Sequence, residues 1–167
     1  MVLRITKKLT ESESNYYLGK INWIYCCSPQ YLTGKPEIKM PTDLIHHRCL
    51  TNPVMAYHDN WIFSGENGDI MVPVESAVTS NSSLTLLNIL LSHNGISCLP
   101  DYLASIYIKK GSLVNILPEY HAGLSHHLYG IEKKSRYINP LVRSFIEHLR
   151  HELTGPDTLP GQKTAHT

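Results

Sequence analysis

What this sequence does not contain narrows its chemistry before any motif is considered. No stretch approaches the ~20 apolar residues that a membrane-spanning helix needs. The opening Met-Val-Leu-Arg-Ile-Thr-Lys-Lys is too short an apolar run for a secretory leader. A soluble, cytoplasmic protein with no membrane partner is the expectation. Charge is sparse: Asp, Glu, Lys and Arg make up 17% of the 167 residues, and the formal net charge is +1. That balance gives no bulk attraction for nucleic acid. Gly-x-x-x-x-Gly-Lys, Gly-x-Gly-x-x-Gly and His-Glu-x-x-His are all missing, so no phosphate loop or zinc-protease helix is expected. The acidic residues are scattered rather than paired for acid–base work. Ser125-His126-His127 lacks the glycines of a nucleophile elbow.

The four cysteines, Cys26, Cys27, Cys49 and Cys98, include no Cys-x-x-Cys, and two adjacent ones would point to opposite faces of a strand. They read as small core residues of a reducing compartment. His46-His47-Arg48-Cys49 has no second ligand pair at a zinc-like spacing, so no metal is assigned to it. No catalytic set and no cofactor motif is left. The expectation is a binding module, not an enzyme.

Hydrophobic residues make up 42% of the chain, enough for one folded domain or two small lobes. The stretch around which the rest is organised runs from Val78 to Pro100 and reads as strand end, turn, helix, turn, strand. Thr79, Ser80, Asn81, Ser82 and Ser83 are helix-capping residue types, able to satisfy the orphan N–H groups of a first turn. Leu84, Leu86, Leu87, Ile89, Leu90 and Leu91 make a helix apolar on most of its circumference and so largely buried. Thr85, Asn88 and Ser92 draw one polar stripe along it. Asn94-Gly95 supplies a left-handed stop, Ile96 to Leu99 a short buried strand, and Pro100 ends it. A Ser/Asn-rich turn leading into a helix is a natural anion site; on these residues alone, capping a core helix is the better account.

Elsewhere, Val2–Thr6 and Ile21–Cys27 read as strands, with Lys7–Asn15 a loop between them. Pro41 opens a short helix with Thr42 or Asp43 near its cap. Short strands are expected at Cys49–Leu50, Val54–Tyr57, Trp61–Phe63 and Asp69–Val74, with Asn67-Gly68 a type I′ hairpin turn. A short helix opens near Pro100, Leu113–Leu117 is a strand, Pro118–Gly123 a linker and His127–Ile131 the last strand. Asn139-Pro140 starts a final helix, with Leu141, Val142, Phe145, Ile146 and Leu149 on one face. No internal repeat is visible. Strands alternating with helices favour an α/β fold.

An ordered set of short motifs runs through nearly the whole chain: Val2-Leu3-Arg4-Ile5-Thr6; Leu18-Gly19; Cys27-Ser28-Pro29-Gln30-Tyr31-Leu32; Pro41-x-Asp43-Leu44-x-x-His47-x-Cys49-Leu50; Trp61-x-Phe63; Asn81-Ser82; Gly95-Ile96-x-x-Leu99-Pro100-x-Tyr102; Gly111-x-Leu113-Val114-x-x-Leu117; and Pro140-x-Val142-Arg143-x-Phe145-Ile146-x-x-Leu149. Each is weak alone. In this order and spacing they resemble the effector-binding domain of LysR-type transcriptional regulators, with Cys26-Cys27 where small residues are usual.

The resemblance implies a periplasmic-binding-protein-like (type 2) pair of α/β lobes joined by two crossovers, with a small-molecule effector between them. It implies that residues 1–26 and 125–154 belong to a partial first lobe, 27–124 to a complete second lobe, and 155–167 to a flexible tail. It also implies that Thr79, Ser80, Asn81, Ser82 and Ser83 face the effector, which favours the anion-site reading of that turn. Arg4 and Thr6 are weaker candidates, and Leu99 and Pro100 a cleft wall. The family's helix-turn-helix has no counterpart in the residues, so DNA binding is expected only through a parent protein, and a homo-oligomer is expected. The rival readings are a solute-binding protein of the same fold and a non-functional gene remnant.

Overall fold

Asn22 interrupts what its neighbours would otherwise make one long strand. Its backbone N–H and its Nδ2 both donate to Asp101 Oδ2, at 3.2 and 3.1 Å, and its carbonyl accepts from Asp101 N at 2.9 Å. The computed structural model describes residues 2–6, 13–53, 60–123, 126–133 and 140–153. The chain divides into two compact units, 1–20 with 126–167, and 21–125. The division precedes Trp23–Cys27 instead of falling after residue 26, because that strand pairs inside the second unit.

In chain order the elements are β1 (Val2–Thr6), β2 (Glu13–Ile21), β3 (Trp23–Cys27), α1 (Pro29–Leu32), a 3-10 helix (Pro41–His46), β4 (Cys49–Thr51), β5 (Asn60–Gly65), β6 (Gly68–Pro73), β7 (Ser76–Thr79), α2 (Ser83–Leu91), β8 (Ile96–Pro100), α3 (Asp101–Lys109), β9 (Val114–Asn115), β10 (His121–Ala122), β11 (His126–Lys133) and α4 (Pro140–Leu153).

The second unit is built on a five-stranded sheet of order β7-β4-β8-β3-β9. β4 runs parallel to β7 and β8, whereas β3 is antiparallel to β8 and β9. Alternation along these strands makes two cores. Tyr25, Cys27, Cys49, Ile96 and Cys98 pack with Trp61, Phe63 and Val72 of a second sheet, order β10-β5-β6; the Tyr25 and Phe63 rings stack at 4.1 Å. Cys26, Leu50 and Leu99 pack instead with Leu86, Leu87 and Leu90 of α2 and Ala104 of α3. Each of those three helix leucines is fully buried, worth about 1.5–3 kcal/mol apiece. That core fixes α2, and with it the turn before the helix.

The end of α2 differs from expectation. Gly95 takes positive φ (146) as expected, but the αL residue that follows the helix is His93 (φ 61), not Asn94. Gly95 is required for a second reason besides its φ: a Cβ there would lie 2.7 Å from the Arg48 carbonyl oxygen, to which Ile96 N donates. The β5–β6 hairpin also differs. Gly65 pairs with Gly68, so Glu66-Asn67 is the loop and Gly68 alone takes positive φ (104), excluding the type I′ turn, which needs two such residues.

Of the expected Lys7–Asn15 loop, residues 13–15 belong to β2, while 7–12 lie outside the described residues, as do Val54–Tyr57 and the 155–167 tail. The 118–123 linker contributes β10, which pairs His121 with Ser64. The expected strand at Leu113–Leu117 shortens to Val114–Asn115, followed by Leu117 at φ 52.

The first unit contains the sheet β1-β11-β2, with Val2 opposite Ile131 and Thr6 opposite His127. α4 keeps only part of its expected apolar face covered. Ile146 is buried, whereas Leu141 is 78% and Phe145 44% exposed.

Candidate functional site

The turn from β7 to α2 is held from beneath by a ring of three hydroxyls. Thr51 Oγ1 lies 2.7 Å from Ser76 Oγ and 3.0 Å from Thr79 Oγ1, and the last two are 2.9 Å apart. Ser76 Oγ also donates to the Val78 carbonyl at 3.0 Å. The three protons therefore have four oxygen acceptors to choose from, and every hydroxyl in the ring is satisfied. Thr51 O accepts from Ser80 N at 3.0 Å, so the chain leaves β7 tied to the end of β4.

Beyond that tie the turn is built from its own side chains. Ser80 Oγ accepts from Ser82 N at 3.2 Å, and Ser82 Oγ caps α2 by accepting from Thr85 N at 3.3 Å. This is the local competition for backbone donors that places Ser and Asn at helix starts. Two first-turn donors, Ser83 N and Leu84 N, have no partner among the described residues. The Ser80 and Ser82 hydroxyls accept these bonds and still have a proton each to donate. Asn81 is exposed between them. The turn thus collects backbone N–H groups, hydroxyls and a carboxamide at the positive end of a nine-residue helix dipole.

Five of the nine candidate residues, Thr79 to Ser83, are therefore together, with Thr79 committed to the hydroxyl ring. Leu99 is fully buried in the α2 core and Pro100 is buried at the end of β8, so neither offers an open wall within its unit. Arg4 and Thr6 lie in the first unit on one face of β1, opposite Tyr129 and His127. Thr51, which positions the turn, is not signalled locally, because it meets Thr79 from 28 residues away in sequence through strand pairing; Ser76 lies only three residues before Thr79. A groove of about 430 Å³ lined by Leu32, Lys35, Pro36, Ile38, Ile116 and Leu117 lies at the opposite, β9 edge of the sheet.

The four thiols are buried rather than displayed. Burial pushes the Cys26, Cys27 and Cys49 thiols up to about 12 and raises Cys98 well above the usual range. Tyr25, buried with its hydroxyl donating to the Ile62 carbonyl, is raised for the same reason. Among the described residues no three His, Cys, Asp or Glu side chains are grouped to hold a metal ion. No helix among them is long and apolar enough to cross a membrane.

Comparison with known proteins gives this arrangement a family. Residues 4–154 match the model of the LysR substrate binding domain. The HTH-type transcriptional regulator PtxR of Pseudomonas aeruginosa is 29% identical over 126 residues, which cover 75% of this chain and 40% of PtxR. CrgA, a LysR-type transcriptional regulator from Neisseria meningitidis, superposes with a TM-score of 0.78 at 23% identity, over 92% of this chain and 52% of that one. The full-length Vibrio cholerae virulence activator AphB gives 0.75 at 19%, over 89% and 50%. The chain thus spans about half the length of these regulators or less. Its α/β fold is the periplasmic-binding-protein-like fold of their regulatory domains, and by the match over residues 4–154 the chain belongs to the LysR substrate binding domain family.

Proposed function

We propose that this chain is the sensing part of a transcription regulator and that it holds a small anionic metabolite at the turn Thr79–Ser83. The observation that supports this reading is the start of α2, where Ser83 N and Leu84 N have no partner among the described residues and the Ser80 and Ser82 hydroxyls stand beside them. A carboxylate accepting from such donors gains a few tenths to ~1 kcal/mol from the helix dipole, besides its hydrogen bonds. The effector then acts on a whole protein that reads DNA through a helix-turn-helix, the element in the name of PtxR. The matched family is the substrate-binding part, and with a net charge of +1 this chain by itself is assigned no operator recognition.

The test is a calorimetric titration of the chain against a panel of small mono- and dicarboxylates. Ser82→Ala and Asn81→Ala should each weaken whichever acid binds, by roughly threefold to tenfold for a hydrogen bond of ~1 kcal/mol. Helical circular dichroism controls for the lost cap, itself worth ~1 kcal/mol of stability. Unchanged affinity in both variants would move the site away from this turn. A competitor-resistant gel shift by the chain alone would refute the assignment of DNA reading to another part.

A further inference from the structure

α1 is a single helical turn, and a histidine leans on each end of it. His93, the left-handed residue that ends α2, brings Nδ1 to 2.9 Å from Ser28 Oγ, the hydroxyl that caps α1 by accepting from Tyr31 N. His47, which follows the 3-10 helix, packs its ring on Tyr31 at 6.0 Å and 57°, with Nδ1 3.5 Å from the phenolic oxygen. That oxygen already accepts the Arg48 N–H at 2.8 Å, so its own proton is free to point to His47 Nδ1. On this ground we assign Nδ1 as the acceptor and the ring proton to Nε2. His47 is 8% exposed, and its Nε2 is buried with no hydrogen-bond partner among the described residues.

Protonation adds an N–H at Nδ1, the atom that faces the Tyr31 hydroxyl, and buries a full charge here, so the neutral ring is the better tolerated form. Lys35 from the loop after α1 and His46 from the 3-10 helix flank the ring, and the carboxylate facing it is Asp43. Asp43 Oδ2 is engaged by the N–H groups of Lys39 and Met40, at 2.8 and 3.0 Å. On the β4 side, the Cys49 thiol lies 3.8 and 3.6 Å from the Leu44 and His47 carbonyls, its two acceptors, and so leaves the ring alone. Burial, with Lys35 and His46, holds the His47 pKa below the ordinary histidine value against the opposing pull of the Pro36 carbonyl and Asp43.

We propose that His47 is an acid-sensitive latch: while neutral it holds the segment 35–48 against α1 through Tyr31, and its protonation releases that segment. The inference does not depend on the effector reading. The sign follows from linkage. The closed state binds the proton less well than the open one, so closure is complete above the ordinary histidine value. It weakens as pH falls from there towards the pKa held in the closed state, by about tenfold per pH unit for one proton.

The experiment pairs an NMR titration of the histidine Cε1–H resonances of the full chain with amide exchange at Arg48, read as a protection factor. His47 should titrate below the ordinary range. Arg48 protection should fall about tenfold per pH unit through that window, while the β3–β8 ladder at Tyr25 and Cys98 stays protected. His47→Phe should make Arg48 protection independent of pH there. Tyr31→Phe, which removes the acceptor, should lower it at every pH. The latch is refuted if His47 titrates at or above the ordinary value, a measurement that needs no variant. It is refuted equally if Arg48 protection declines in parallel in the native chain and in His47→Phe.

Discussion

Thr51→Val tests the hydroxyl ring that holds the turn in place. Thr51 is 3% exposed, and valine replaces its hydroxyl by a methyl group of similar volume, so the change is one of hydrogen bonding and not of packing. Two contacts disappear, those of 2.7 and 3.0 Å to Ser76 and Thr79. Those two partners keep each other at 2.9 Å, and Ser76 keeps the Val78 carbonyl at 3.0 Å. Neither is left without a bond, so the full desolvation penalty does not apply and the loss is two ordinary net contributions shared within a ring. We expect about 1–2 kcal/mol of destabilisation, or roughly 2–8 °C in melting temperature for a chain of this size. The backbone bond from Ser80 N to Thr51 O is untouched, so the turn should persist. Urea unfolding followed by circular dichroism gives the single-variant value. The decisive measurement is the cycle with Thr79→Val. Because both residues belong to one ring, the double variant should cost less than the sum of the singles by at least about 0.5 kcal/mol. Strict additivity, or a Thr51→Val protein as stable as the native one, would show that the ring does not form and that β7 is held otherwise.

The four cysteine thiols should be nearly inert to a disulfide reagent at pH 8 in the folded chain, since burial raises all of them and the thiolate is the reacting form. All four should react on unfolding; fast stoichiometric labelling of the native protein would contradict the burial. The chain should also self-associate through the first unit, where Val2, Leu3, Ile5, Leu141 and Phe145 are exposed and β1 lies at the edge of its sheet, a combination that recruits other chains. Leu141→Lys with Phe145→Lys should shift the mass measured by light scattering towards the monomer, and an unchanged mass would discount that face.

Why some of this was readable in the sequence and some was not follows from the range of the interactions. The start and apolar spacing of α2 are local: Ser82 caps Thr85 and the buried leucines lie at helical spacing, although Leu84, expected in its apolar face, is 58% exposed. Residue type and order suffice to place the helix. The same holds for β8, whose apolar run is buried throughout. Failures occur where a distant residue decides. Ile21 to Cys27 reads as one strand because it is rich in aromatic and β-branched residues, and it breaks at Asn22, which is held by Asp101, 79 positions later. Gly95 reads as a positive-φ stop and has that φ, but the Arg48 carbonyl that also excludes a Cβ there is distant in sequence. So is Ser28, which the αL residue His93 meets from 65 residues away. α4 presents an apolar face at good helical spacing, but periodicity states only that a face is apolar and not whether anything covers it, which is why Ile146 is buried while Leu141 is not. The turn shows both limits at once. Its capping residues are visible as a Ser/Asn run, whereas the Thr51 and Ser76 hydroxyls beneath it become neighbours only when β4 and β7 pair in parallel. A site built on a parallel sheet is assembled across strands, so its supporting residues carry no local mark of the role they share.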